Sequence, residues 1–229
     1  MKNQAKTEHI VSFSGGKDST ALLLLMLEKN MTVDEIVFAD TGKEFPEMYE
    51  HIEKVEEFTG RKITRLKDAK GFDYWFSEHI KTKGARKGEV GYGWPTSKIR
   101  WCTTALKRNV FNKHLSGRNV SLYVGIAYDE KHRVKNHNYP LVDWKITEKQ
   151  ALEYCYARGF DWGGLYELFG RVSCWCCPLK NKKELKNLFF HRPELWHQLK
   201  EMEARSRTKF KDVGIAALEK EFCVADFLI

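Results

Sequence analysis

The chain has 229 residues, a hydrophobic fraction of 42% and a formal charge of +8. That length is enough to bury a sizeable core, while a mean hydropathy of −0.53 and the lack of any apolar run of about 18 residues exclude a membrane-spanning helix and set the expectation of a soluble globular protein. The pI near 9.1 argues for a polyanionic partner, a demand that a nucleotide alone would meet.

The amino terminus, Met1 to Lys6, lacks the apolar segment of a secretory leader, so a cytoplasmic location is expected. In that compartment six cysteines point to metal ligation or redox chemistry rather than structural disulfides. His9-Ile10-Val11 reads as a short strand, and Ala21 to Leu27 as a strong helix. Between them lies Ser12-Phe13-Ser14-Gly15-Gly16-Lys17-Asp18-Ser19-Thr20. Strand, glycine turn and helix form the geometry in which backbone N–H groups and a helix N-terminus meet a phosphate. The spacing is not that of a Walker A loop, which is longer and ends in Lys-Ser/Thr.

Further along, Ile36 to Asp40 is a second strand that ends in Thr41-Gly42. A helix over Pro46 to Thr59 follows, with Met48, Ile52, Val55 and Phe58 on one face. Ile63 to Leu66 and Asn119 to Ala127 are further strands. Gly84 to Pro95, rich in glycine and interleaved with Tyr92 and Trp94, reads either as a mobile loop that closes over a substrate or as an ordinary surface loop. From about Leu141 helices dominate, clearest at Glu184 to Phe190 and Pro193 to Arg205, with Trp196, Phe210 and Phe222 as core. Cys155, in a helix over Glu148 to Arg158, reads as a buried structural residue. The alternation predicts an α/β fold, a doubly wound and mostly parallel sheet with a helical C-terminal extension. Residues 1–145 are the expected nucleotide-binding domain and 146–229 the extension, packed as one unit. Ligands of such sheets sit beyond the carboxyl ends of the strands, where the glycine turn and Asp40-Thr41-Gly42 both emerge. The basic clusters at 81–87, 100–108, 131–135 and 180–186 read as solvated faces. No RRM, KH or zinc-finger pattern accompanies them.

Several segments carry a resemblance. Ser14 to Ser19 is similar to the SGGxDS loop of the PP-loop ATP pyrophosphatases. Asp40-Thr41-Gly42-Lys43-Glu44-Phe45-Pro46-Glu47, Arg100-Trp101-Cys102-Thr103-Thr104-Ala105-Leu106-Lys107, Gly125 to Arg133 and Tyr139 to Trp144 resemble, in the same order, segments of PAPS reductase-like proteins. The resemblance covers roughly residues 9 to 180 and implies a fold of the adenine nucleotide alpha hydrolase (HUP) type. It further implies nucleotide binding through Ser12, Phe13, Ser14, Gly15, Gly16, Lys17, Asp18 and Ser19, with Asp40, Thr41, Gly42 and Gly125 around them. Within the superfamily, sulfonucleotide reductases carry a terminal Glu-Cys-Gly-Leu-His and a drifted loop. Here the loop is intact, and Cys223 is preceded by Phe222 and followed by Val224. Both departures point toward an ATP-using branch with metal chemistry.

Cys174 and Cys177, in Cys-x-x-Cys-Pro, are spaced to reach one metal, and Cys102 is the third ligand that the Trp-Cys-Thr element offers. Three thiolates would hold a 4Fe–4S cluster with one iron open, and Cys176 as a fourth ligand would close it. Structural zinc and redox-active or free thiols are the alternatives. The implied reaction is attack by an acceptor on the α-phosphorus of ATP, giving an adenylate and pyrophosphate, after which a sulfur nucleophile displaces AMP. Lys17 would stabilise the leaving group, Asp18 would orient Mg²⁺ or the loop, and Arg100, Lys107 and Arg133 would hold phosphate or acceptor. Expected partners are the nucleotide, an acceptor that is a nucleic acid (DNA or tRNA) or a small metabolite, and a sulfur donor such as a cysteine desulfurase, or a reductant; no membrane is expected. Two rivals stand beside this reading: a sulfonucleotide reductase and a non-catalytic nucleotide- or nucleic-acid-binding module.

Overall fold

A computed structural model describes residues 6–226. The amino-terminal leader reading falls largely on residues 1–5, outside the described residues. Four strands build one sheet: β1 (Glu8–Ser12), β2 (Glu35–Asp40), β3 (Ile63–Lys67) and β4 (Val120–Val124). All pairings are parallel, in the order β3-β2-β1-β4. The chain steps outward from β1 to β3 and then returns to the other side of β1, so the topological switch lies between β1 and β4. A crevice at the carboxyl ends follows from that reversal.

The central strands β1 and β2 carry apolar runs because both faces of the sheet are covered there; Ile10, Val11 and Val37 are fully buried, while the edge strands β3 and β4 are mostly half-buried or exposed. Helix α1 (Lys17–Glu28) is buried on nearly every side, from Ser19 through Leu24 and at Met26. It packs against α6 (Glu148–Tyr156) of the C-terminal half, so its leucine run has no solvent face to pattern. Helix α2 spans Pro46–Thr59, starting on proline at the first helical turn and ending at left-handed Gly60. Its buried face is Met48, His51, Ile52 and Val55. Phe58, predicted on that face, is 58% exposed and meets Phe160 edge-on at 5.2 Å.

After β3 come a single turn, α3 (Gly71–Asp73), and a π-helical turn over Tyr74–Glu78. A second π-helical turn, Thr103–Arg108, leads into α4 (Asn109–Leu115). Single π turns of this kind gather at functional positions, and this one carries Lys107. The predicted strand over 119–127 is shorter than expected. It ends at Val124 because the chain must turn at Gly125 to pass the start of α1. The glycine-rich segment divides in two. Its first half is exposed, pinned at its base by the Ile80–Val90 bridge. From Gly91 to Pro95 it is buried except at the partly exposed Tyr92, with Trp94 edge-on to Phe76 and Phe210 at 4.8 Å.

The remaining helices are α5 (Pro140–Asp143), α7 (Leu165–Leu168), α8 (Lys182–His191), α9 (Pro193–Ala204) and α10 (Ile215–Asp226). Capping boxes open α6 at Thr147/Gln150 and α8 at Asn181/Glu184. One apolar cluster runs from Val11 to Phe222 and takes in Trp196 and Phe210. Among the described residues no helix is long and apolar enough to cross a membrane.

Candidate active site

The glycine turn folds as the strand–turn–helix reading predicts. Gly15 adopts a left-handed φ of +77°, and α1 begins at Lys17, so its first-turn amides lack intrahelical acceptors. The Lys17 N–H donates to Tyr166 Oη at 2.8 Å. Ser19 Oγ accepts from the Ser14 N–H at 3.1 Å and lies 3.0 Å from Ser14 Oγ, stitching the turn to the helix. From below, Trp162 Nε1 donates to the Gly15 carbonyl at 2.7 Å. Trp162 in turn stacks on His51 at 4.3 Å, and His51 Nε2 is 2.9 Å from Thr20 Oγ1. At Gly125, an added Cβ would fall 2.7 Å from Ser19 N and Cα. Gly125 is therefore glycine for closeness of approach between β4 and the loop, not for its backbone angle.

Burial holds His51 neutral, with its pKa pushed down to about 3. The unfolded chain takes up a proton near pH 6.5 that the folded chain refuses until about pH 3. His51 therefore lowers stability as pH falls from 6.5 toward 3, by about 1.4 kcal/mol for each unit. Denaturant titrations of His51→Gln should show a shallower acid limb than the parent and no such difference in slope above pH 7.

Lys17 Nζ donates to Glu148 Oε1 at 2.7 Å and lies 3.9 Å from Asp18. Oxygens of Asp18, Glu130 and Glu148 fall within 4.8 Å of one another, and Glu130 also pairs with the exposed Arg133. Burial, opposed by Lys17, raises the Asp18 carboxyl to about 6, and Asp18 Oδ1 is buried without a hydrogen-bond partner. Phe13 lies in the core, 1% exposed, so only its backbone belongs to the loop.

A second group forms at the end of β2. Asp40 accepts from the Gly42 N–H and from Tyr49 Oη, both at 2.8 Å, and pairs with Lys67 at 2.9 Å, which sets the Asp40-Thr41-Gly42 turn. The buried Glu44 accepts from Thr41 Oγ1 at 3.0 Å and from Cys174 Sγ at 3.5 Å, with Lys107 Nζ at 3.6 Å. Thr41 Oγ1 also lies 3.4 Å from Cys174 Sγ, and the Trp175 N–H donates to the Lys43 carbonyl at 3.0 Å. These bonds dock the Cys-x-x-Cys turn onto the segment after β2.

All six cysteines are free thiols. Cys102, Cys174 and Cys177 are partly exposed, whereas Cys176 is 2% exposed in the core. Burial and the neighbouring Glu44 push the Cys174 thiol up to about 12; burial and Cys177 raise that of Cys102. Lys107 is held in its charged form chiefly by Glu44. Protonated thiols must lose protons to bind a metal, so loading should improve from pH 7 to pH 9. Among the described residues no three cysteine sulfurs lie mutually within 4.8 Å. The set is thus spread wider than the roughly 3.8 Å that a tetrahedral ion with bonds of about 2.3 Å to sulfur requires.

The structure thus collects the predicted residues in two groups at one sheet edge: loop, Gly125 and Arg133 on one side, and the β2 turn, Lys107 and the cysteines on the other. Arg100 is exposed, two residues before Cys102. Glu44, His51, Glu148, Trp162 and Tyr166 complete the site without having been singled out for it. Glu44 was within reach, lying inside the DTGKEFPE segment. Nothing local marks Trp162 and Tyr166, which come from the helical extension.

Such a fold and site define a PP-loop type of α/β protein. The chain belongs to the phosphoadenosine phosphosulfate reductase domain family, whose model matches residues 8–180. It is 29% identical over 214 residues to an uncharacterized protein of Methanocaldococcus jannaschii, covering 82% of this chain and 40% of that protein. A second uncharacterized protein of that organism is 26% identical over 205 residues, covering 82% and 45%. An uncharacterized nin region protein of Escherichia phage lambda is 32% identical over 146 residues, covering 56% and 50%. The chain therefore spans half or less of the length of these relatives. The crystal structure of phosphoadenylyl-sulfate (PAPS) reductase from Candida auris, a phosphate complex, superposes with a TM-score of 0.51 at 17% identity, over 72% of this chain and 81% of that one. The match is one of fold.

Proposed function

We propose that this protein uses ATP to adenylate an acceptor, releasing pyrophosphate, and delivers sulfur to the adenylated centre. The observation that carries the reading is the placement, at one sheet edge, of an intact SGGKDS turn beside Cys102, Cys174 and Cys177. An acceptor oxygen attacks the α-phosphorus, the bond to the β-phosphate oxygen breaks, and pyrophosphate leaves with the bonding pair. The turn's amides and Lys17 meet that charge. Lys17, held by Glu148 without nucleotide, exchanges that carboxylate for phosphate oxygens. Asp18, Glu130 and Glu148 are the carboxylates that would hold Mg²⁺, which supplies further charge screening. In the second step sulfur at the sulfide oxidation level attacks the activated centre, and AMP leaves with its bonding pair, so no net redox change is needed.

The donor set fits a multinuclear group better than a single ion, because among the described residues no three cysteine sulfurs lie mutually within 4.8 Å. Cys102, Cys174 and Cys177 would hold a 4Fe–4S cluster, which supplies an iron with an open position. Cys176, enclosed in the core, has no open approach to join them without local rearrangement. Anaerobic purification with iron, sulfide and zinc analysis tests this half. About four irons per chain are expected, lost in Cys102→Ser, Cys174→Ser and Cys177→Ser together with sulfur transfer, while pyrophosphate release persists. Stoichiometric zinc, or thiol variants with undiminished sulfur transfer, would sink it.

Sulfonucleotide reduction is the second reading, favoured by the family itself. It requires sulfite release from a sulfonucleotide without ATP turnover, and a thiol that attacks sulfur. The exposed Cys223 on α10 or another thiol would fill that role, and sulfite release in Cys223→Ser tests the first of these.

A further inference from the structure

Trp101 directly precedes Cys102 and is 6% exposed. It stacks on Tyr92 at 5.8 Å and 21°. Tyr92 stacks on His79 at 5.0 Å, His79 lies against Trp75 at 4.6 Å, and Trp75 meets Tyr74 edge-on at 5.4 Å. Only the inner end of this ladder is buried; Tyr74, Trp75, His79 and Tyr92 are all partly exposed. A structural cluster of rings would be enclosed by apolar side chains, but cations border this one. Lys70 Nζ sits 4.2 Å from the Tyr74 ring centre and Lys81 Nζ 5.8 Å from that of Tyr92. Arg86 and Arg207 line a small recess beside Tyr92 with Lys81 and Thr208.

Most acidic groups here are occupied. Asp68 accepts from Trp75 Nε1 at 2.8 Å, Asp73 pairs with Lys43 at 3.0 Å and Arg205 at 3.4 Å, and Glu89 pairs with Lys81 at 2.8 Å. Against the exposed Glu78 stand Lys70, Lys83, Arg86, Lys87 and Arg207, all exposed and without an ion-pair partner among the described residues. Exposed cations beside partly exposed rings are the chemistry of a single-strand site, where phosphates meet the cations and unstacked bases meet the rings. A duplex hides its base faces and would leave the rings unused.

We propose that this surface binds single-stranded nucleic acid and leads it along the ring ladder toward Cys102. The proposal rests on the function inferred above only in making that strand the acceptor. Strand binding itself needs neither ATP nor a cluster.

Fluorescence anisotropy with the intact chain and a labelled single strand of about 16 nucleotides, as DNA and as RNA, against the matching duplex, tests it. Without ATP, at least one single strand should bind about ten-fold or more tightly than its duplex. Reversing charge in Arg86→Glu/Arg207→Glu should weaken binding about ten-fold or more and flatten the plot of log affinity against log salt by about 1.4, for two lost phosphate contacts. Tyr74→Ala should weaken binding about five-fold or more with that slope unchanged. Equal or tighter duplex binding, or affinity indifferent to the charge reversal or to Tyr74→Ala, overturns the proposal. Pyrophosphate formation with water as acceptor should be normal in Arg86→Glu/Arg207→Glu. Its loss from the parent chain would count against the ATP reading and leave strand binding standing.

Discussion

Lys17→Met should lower AMP and pyrophosphate formation by a factor of about 100–1,000, the range for removing one preorganised group that meets charge in a transition state. The ammonium is buried, with Glu148 Oε1 at 2.7 Å and Asp18 at 3.9 Å. Its removal leaves three carboxylates facing one another without the cation. The variant should therefore lose stability as well as rate, and two measurements separate the effects. In Lys17→Met/Glu148→Gln, urea titration should recover part of the lost stability, because one uncompensated charge is gone. Turnover should stay at or below the level of the single variant, since Glu148 is also one of the carboxylates that would hold Mg²⁺. Recovery of turnover in the double variant would mean that Lys17 acts only by neutralising Glu148.

Gly125→Ala should be a strongly damaging one-methyl change in the site. Its Cβ would lie 2.7 Å from Ser19 N and Cα and 2.8 Å from the Asp18 carbonyl carbon. These are backbone atoms at the start of α1 that no rotamer change moves aside. Overpacking of this kind costs about 1–3 kcal/mol, and here the strain falls on the phosphate turn, so ATP affinity should fall with stability. Gly42→Ala is the natural contrast. Gly42 has φ +72° but nothing within 4 Å of an added Cβ, so it should cost only the left-handed penalty of about 1–2 kcal/mol. Urea denaturation and calorimetric ATP titration of the two variants check the order. Equal losses of affinity would remove Gly125 from the loop's support.

The sheet was legible because its strands are short apolar runs ending in glycine turns. Pro46–Thr59 was legible because proline opens it and Gly60 closes it. Phe58 was misplaced, since periodicity puts a ring on a face but does not say where the neighbouring layer ends. In the site, SGGKDS and DTGKEFPE are local in sequence, and so are the bonds that shape their turns. The supports were not legible. Trp162 and Tyr166 reach the loop from 147 and 149 residues away, and Glu148 reaches Lys17 across 131. Cys176 shows the same limit: the sequence sets Cys174 and Cys177 apart as the spaced pair but leaves Cys176 open as a fourth ligand, and only packing shows that its thiol is enclosed while the other two are partly exposed.

The most direct test of the central claim is product analysis with α-labelled ATP, Mg²⁺ and water as the only acceptor. AMP and pyrophosphate in equal amounts, lost in Lys17→Met and retained in Cys174→Ser, is the result expected of a loop that grips the leaving pyrophosphate beside a separate thiol centre. Formation of ADP and phosphate, or turnover confined to a sulfonucleotide with release of sulfite, would contradict it.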